Sequence, residues 1–105
     1  MRIISIGTIK KYWLKNPETE KHLKSWYQEV ESSNWKNSSE LKEKYRNASV
    51  LTSKRVVFNI MGNDHRLIVD IEFRLKIVFI VWLGTHKQYD KIDSKKVSYV
   101  KTYKK

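Results

Sequence analysis

The spacing of apolar residues changes once along this chain, and that change restricts the fold more than any other feature. Before residue 55 the intervals are helical: Leu23, Trp26, Tyr27 and Val30 follow i, i+3, i+4, i+7 and form one stripe. From Arg55 onward the period is two. Val56, Phe58 and Ile60 alternate with Val57, Asn59 and Met61; Leu67, Val69, Ile71 and Phe73 alternate with Arg66, Ile68, Asp70, Glu72 and Arg74. A third run, Ile77 to Leu83, is apolar on both faces and reads as a central strand. Helices first and an antiparallel meander of short-connected strands after them make an α+β domain. The helices are expected to cover one sheet face, and the other, with Arg66 and Arg74, to stay open.

The punctuation residues divide these runs. Residues 2–6 predict a short strand, and residues 8–15 a short helix with Thr8 as its N-cap. Asn16 is placed to cap the next helix, with Pro17 at the first helical position and Glu18 and Glu20 near the positive end of the dipole. Residues 32–39 read as a polar loop around Trp35, and a further helix starts near Ser38 or Ser39 and includes Leu41 and Tyr45. Gly62-Asn63-Asp64 is turn chemistry. Gly84-Thr85 ends the third strand, with Thr85 capping a helical turn through Asp90. Residues 1–93 then form one domain, and residues 94–105, with five Lys and no acid, form a frayed or loosely docked basic tail.

Charge is the first hint of function. Twenty-two Lys and Arg face eleven Asp and Glu, a net of +11 in 105 residues. The excess is uneven: residues 18–43 hold four basic and six acidic groups, and the other segments hold eighteen and five. A positive surface with one milder region suits a polyanionic partner; the plainer reading is a basic domain without one. Cysteine is absent, which excludes disulfides and any Cys-based nucleophile or metal site and fits a reducing cytosol. His22, His65 and His86 are scattered without metal-ligand spacing, so no metal or cofactor is expected. No apolar run approaches the ~20 residues that cross a bilayer, and the N-terminal stretch lacks the features of a signal peptide. A cytoplasmic location without membrane contact is expected.

Proton-transfer groups concentrate in Gly84-Thr85-His86-Lys87-Gln88-Tyr89-Asp90. On a helical turn His86 neighbours Tyr89 at i+3 and Asp90 at i+4. An imidazole, with an unperturbed pKa of about 6.5, suits acid–base work; a phenol, at about 10, does so only beside cations. Taken alone, a Tyr after a strand more often simply packs. Arg66, just after the Gly62-Asn63 turn, offers a planar fork for phosphate oxygens. Lys54, Arg55 and Arg74 are further candidates for phosphate contacts, Lys54-Arg55 reading otherwise as an edge-strand gatekeeper pair. Trp35 is a candidate to stack on a base or to anchor its loop to the core.

Two motifs carry a resemblance. Phe58-Asn59-Ile60-Met61-Gly62-Asn63-Asp64-His65-Arg66-Leu67 is similar to a Phe-Asn-Ile-x-Gly-Asn-x-x-Arg-Leu pattern of HigB-type toxins, and residues 84–90 resemble their Gly-Thr-His-x-x-Tyr-Asp. Trp26-Tyr27 and Asn34-Trp35-Lys36 also fit, and the likeness runs from about residue 2 to residue 93. The resemblance implies a RelE-like fold, with two to three N-terminal helices on one face of a small twisted antiparallel sheet. It implies an mRNA endoribonuclease (an mRNA interferase), in many members acting on message in the ribosomal A site. It further implies neutralisation by a helix-turn-helix, HigA-like antitoxin, through which alone operator DNA would be bound. Position by position it points to Arg66, His86, Lys87 and Tyr89 as functional groups; Asn63 is an RNA contact or a turn residue, and Asp90 a support for His86. Metal-independent attack by the RNA 2′-OH follows as the expected chemistry, with the acid and base roles of His86 and Tyr89 left open. Two alternatives stand beside it: a toxin of the same fold that inhibits a protein such as gyrase, and a non-catalytic basic RNA-binding module.

Overall fold

The computed structural model describes residues 1–98. The elements run β1 (Arg2–Ile4), α1 (Ile6–Lys15), a 3₁₀ turn (Pro17–Thr19), α2 (Glu20–Glu31), α3 (Ser38–Lys44), β2 (Ser49–Val50), β3 (Arg55–Ile60), β4 (His65–Glu72), β5 (Ile77–Thr85) and α4 (His86–Tyr89). The sheet order is β1-β5-β4-β3-β2. Strands β3 to β5 form the expected antiparallel meander; the short β2, which the sequence did not announce, extends it in antiparallel at the β3 edge, while β1 joins the β5 edge in parallel. A parallel pair needs a crossover, which the intervening helices supply. No helix among the described residues is long and apolar enough to cross a membrane.

The main core lies between helices and sheet. Ile9, Leu23, Trp26, Val30 and Leu41 meet Val56, Phe58, Ile60, Leu67, Val69, Ile71, Val78 and Ile80. These are the inward positions of the two periodicities, with one exception: Tyr27 is only half-buried and donates to Glu31 at the surface. Helix starts differ from the expected ones. Ser5, in the left-handed region at φ 74°, precedes α1, so Thr8 lies inside that helix rather than capping it. Asn16 makes no N-cap bond; its amide donates back to the Tyr12 carbonyl, and Pro17 opens the 3₁₀ turn instead of α2. Asn37 caps α3, accepting from the Glu40 amide at 3.0 Å.

The second sheet face is not open. Val57, Ile68 and Val81 are buried there beneath Leu51, Trp82, Tyr89, Ile92 and Val97. Their cover comes from α4 and from the segment after it, including residues 94–98 of the expected tail. Residues 99–105 of that tail lie outside the described residues. Arg74 does not share this face; it is exposed in the turn after β4, because the strand ends at Glu72.

A bulge in β5 decides what this face presents. Ile68 pairs with Trp82 but Val69 pairs with Ile80, so Val81 is the extra residue. One inserted residue inverts the side-chain alternation beyond it. Trp82 and Gly84 therefore turn to the second face, and Leu83 turns to the helix-side core. An uninterrupted alternation from Ile80 would have sent Trp82 toward the helices.

Candidate active site

The two motifs meet at one end of the second face. The turn between β3 and β4 runs through Met61 (φ 55°) and Gly62 (φ 64°), left-handed conformations that glycine adopts without strain. The Asp64 amide donates to the Met61 carbonyl at 3.2 Å, and the Asp64 carbonyl accepts from the His86 amide at 2.9 Å. That last bond joins the start of α4 to the turn. A capping box fixes α4 itself: Thr85 Oγ1 accepts from the Gln88 amide at 3.2 Å, and Gln88 Oε1 accepts from the Thr85 amide at 2.9 Å. Gly84 makes the approach possible. A Cβ there would stand 2.2 Å from the Trp82 ring and 2.8 Å from Gln88 Oε1.

Arg66 is the central group, on β4 with only 9% of its surface exposed. Its Nη1 donates to the carbonyls of Asn63 (2.9 Å) and His65 (3.2 Å), and its Nη2 donates to Asn63 Oδ1 (3.2 Å). Its Cζ lies 5.5 Å from the centroid of the Tyr89 ring, a cation–π contact. A guanidinium has five N–H donors, so two remain without a protein acceptor among the described residues. No carboxylate pairs with Arg66 among them. A buried cation without a counter-charge is costly, and an anionic ligand would relieve that cost.

Around Arg66 stand the α4 groups. Tyr89 is half-buried, with its ring 6.3 Å from that of Trp82. His86 Nε2 lies 3.4 Å from Asp90 Oδ2, the expected i, i+4 pair, with both side chains about half exposed (47% and 61%). Such a surface pair orients the imidazole rather than stabilising the fold. Lys87 is exposed on the same turn. On the other side of β4, His65 is buried, with Nδ1 2.7 Å from the Tyr12 hydroxyl and Nε2 3.6 Å from Glu18. Burial, and secondarily the Glu18 charge, push the Tyr12 phenol up to about 12.

The structure thus brings Arg66, Asn63, His86, Lys87, Tyr89 and Asp90 together and separates four other candidates from them. Trp35 is buried and packs edge-to-face on Tyr45, so it anchors its loop to the core and has no face free for a base. Arg55 has its fork occupied: Nε and Nη2 donate to Asp70 (2.6 and 2.9 Å), and Nη1 donates to carbonyls of Ser94 and Val97. Its guanidinium is held above the ordinary range by its hydrogen bonds to the Asp70 carboxylate, and it serves the fold rather than a phosphate. Lys54 is exposed level with Ile71, whose amide donates to its carbonyl. Five residues of strand from Arg66 put it roughly 16 Å away, and Arg74 lies in the turn beyond the end of that strand. The sequence reading gave no functional role to Asn59, Trp82 or Gly84. Asn59 pairs across strands with Arg66, and Arg66 with Gly84; alternation suggested Asn59's face, but its partner needed the register. Among the described residues no group of three or more His, Asp or Glu is placed to hold a metal ion.

Residues 19–92 match the family model of the HigB toxins, described as the RelE-like toxic component of a toxin–antitoxin system. The match covers 74 of the 105 residues (92 − 19 + 1) and contains the whole cluster from Asn59 to Asp90. No curated protein matches the chain.

Proposed function

This chain belongs to the HigB family of RelE-like toxins, the toxic components of toxin–antitoxin systems, and from that premise we propose that it is an mRNA endoribonuclease whose active site is the Arg66–Tyr89–His86 cluster. The observation that carries the reading is Arg66 itself. It is a largely buried guanidinium with two unclaimed donors and no carboxylate among the described residues, and it lies against the Tyr89 ring, on the helical turn that also carries His86.

The chemistry uses the RNA's own nucleophile. A base removes the 2′-OH proton, the 2′-oxygen bonds to the adjacent phosphorus, and an acid protonates the 5′-oxygen as its bond to phosphorus breaks. The products are a 2′,3′-cyclic phosphate and a 5′-OH. Arg66 donates to the non-bridging oxygens as negative charge grows there, the term that usually contributes most. His86 and Tyr89 share the two proton transfers, worth about 10²–10⁴-fold. Lys87, on the same turn, adds positive potential that holds phosphate. Asn63 supports Arg66 through both its carbonyl and its side-chain oxygen, and Asp90 orients His86. The substrate is message undergoing translation in the cytoplasm, and the antitoxin is a HigA-like helix-turn-helix protein that alone carries the pair to operator DNA.

Primer extension on cellular mRNA after brief induction tests this. Wild type should produce new cleavage stops in frame with translation, and Tyr89→Phe should lose them. Growth arrest without cuts would instead favour a protein target, and 5′-phosphate products would eliminate the 2′-OH route.

A further inference from the structure

Asn59 lies between two buried residues, Phe58 and Ile60, yet it is itself only half-buried and belongs to no core cluster. It pairs with Arg66 across β3 and β4, so the two side chains rise from one face with Cβ atoms roughly 5 Å apart. On Asn59's other side opens a cleft of about 270 Å³, walled by Lys44, Tyr45, Arg46, Asn47, Asn59 and Gly62 together with two core residues. Its lining has two aromatic rings, Tyr45 and the buried Phe58, with two amides, two cations and no carboxylate. Small-molecule sites usually run to about 300–1,000 Å³, so this one has room for a single planar group rather than a whole nucleotide.

The cleft is preformed. Lys42 Nζ donates to the carbonyls of Arg46 and Ala48, each at 2.7 Å, and pins the loop that makes its floor. Tyr45 is held edge-to-face by Phe58 (5.0 Å) and Trp35 (6.0 Å), and its hydroxyl donates to Glu29. Asn59, by contrast, is almost uncommitted. Its Nδ2 reaches the Asn47 carbonyl at 3.5 Å, the outer limit of a hydrogen bond, and its Oδ1 accepts nothing among the described residues. A side-chain amide with donor and acceptor both available matches the edge of a nucleobase, and an aromatic wall matches its face.

We infer that this cleft is a nucleobase subsite for the nucleotide adjoining the phosphate held at Arg66. Asn59 reads the base edge, Tyr45 forms the stacking wall, and Lys44 and Arg46 contact the phosphate beyond. The inference deepens the ribonuclease reading above and rests on it.

Mapping cleavage sites in cellular mRNA for wild type and Asn59→Ala tests it. A bidentate amide–base pair discriminates by about 5- to 150-fold. Wild type should therefore show a base preference at one position beside the cut, and Asn59→Ala should still cut while that preference flattens. If wild type cuts and folded Asn59→Ala keeps the same base distribution, the subsite is wrong and the ribonuclease reading stands. If wild type cuts nothing, both fall. Should Asn59→Ala fail to fold, a second measurement decides: titration of a single-stranded RNA oligonucleotide onto the Tyr89→Phe protein with and without Lys44→Ala/Arg46→Ala. These exposed positions should reduce the salt dependence of binding by about 0.7 in log–log slope for each phosphate lost. An unchanged slope would overturn the inference.

Discussion

Two arginines rise from the same face of the sheet and are treated in opposite ways. Arg55, at the end covered by the C-terminal segment, has a carboxylate partner in Asp70 and backbone carbonyls on its remaining donors. Arg66, at the other end, has backbone and amide oxygens, an aromatic face and no counter-charge among the described residues. The first is a finished structural contact: it ties β3 to β4 and straps the segment after α4 across the sheet. The second is unfinished in the absence of a ligand. Residue type and charge are identical, so on the proposed function what would separate a fold-holding arginine from a phosphate-holding one is whether the protein itself supplies the anion.

The comparison breaks most readily on a double readout. Arg66→Ala should lower cleavage by at least about 10²-fold, the cost of losing one preorganised donor to developing charge. Its melting temperature should stay close to wild type, because an uncompensated cation leaves with the side chain. Arg55→Ala should do the reverse. It strands Asp70 and frees the strap, costing about 2–3 kcal/mol after allowance for the partly exposed carboxylate. At about 4–8 °C per kcal/mol for a domain of this size, the drop is large in a thermal melt. Cleavage should persist when assayed below that lowered transition. Equal stability losses in the two variants would erase the distinction, and a folded, active Arg66→Ala protein would remove Arg66 from the site.

This contrast also marks how far the sequence could be read. The change of period at Arg55 anticipated the α+β order, the three long strands and nearly every inward residue, because burial on one face of a helix or strand is written in spacing. The pairing of His86 with Asp90 and the cap at Thr85 were local and equally legible. Arg55 and Arg66 were not distinguishable, since one's partner lies fifteen residues along the chain and the strap carbonyls lie about forty away. Trp35 likewise looked like any tryptophan in a polar loop until its neighbour Tyr45 was known. The bulge at Val81 was hidden because Ile77 to Leu83 is apolar on both faces, and a pattern without alternation has no phase to shift.

That bulge sharpens the comparison at a second position. Beyond it, Gly84 lies opposite Arg66 and beneath the Trp82 ring. Gly84→Ala should displace the ring and with it the packing of Trp82 on Tyr89, at an overpacking cost of about 1–3 kcal/mol. Because Trp82 is only half-buried, its ring can swing outward and spare part of that cost. Cleavage should then suffer more than stability, the Arg66 pattern rather than the Arg55 pattern. A variant that melts early but cuts normally would show that Tyr89 is positioned without Trp82.

The smallest effect concerns what stands behind the active end. His65, one residue before Arg66, is gripped on the helix side by the Tyr12 hydroxyl, whose pKa rises from 10.0 to about 12. The folded state therefore holds this proton more tightly than the unfolded chain does. The stability it contributes is complete below pH 10, the unfolded value, and disappears as pH climbs toward about 12. Thermal melts across that alkaline window should show wild type losing stability more steeply than Tyr12→Phe, which has no phenol to ionise. Tyr45, also raised by burial and by its bond to Glu29, remains in both proteins and sets a common background. Parallel curves would mean that burial and the Glu18 charge do not hold the Tyr12 proton in the folded state. Converging curves would place a half-buried phenol behind the strand that carries Arg66.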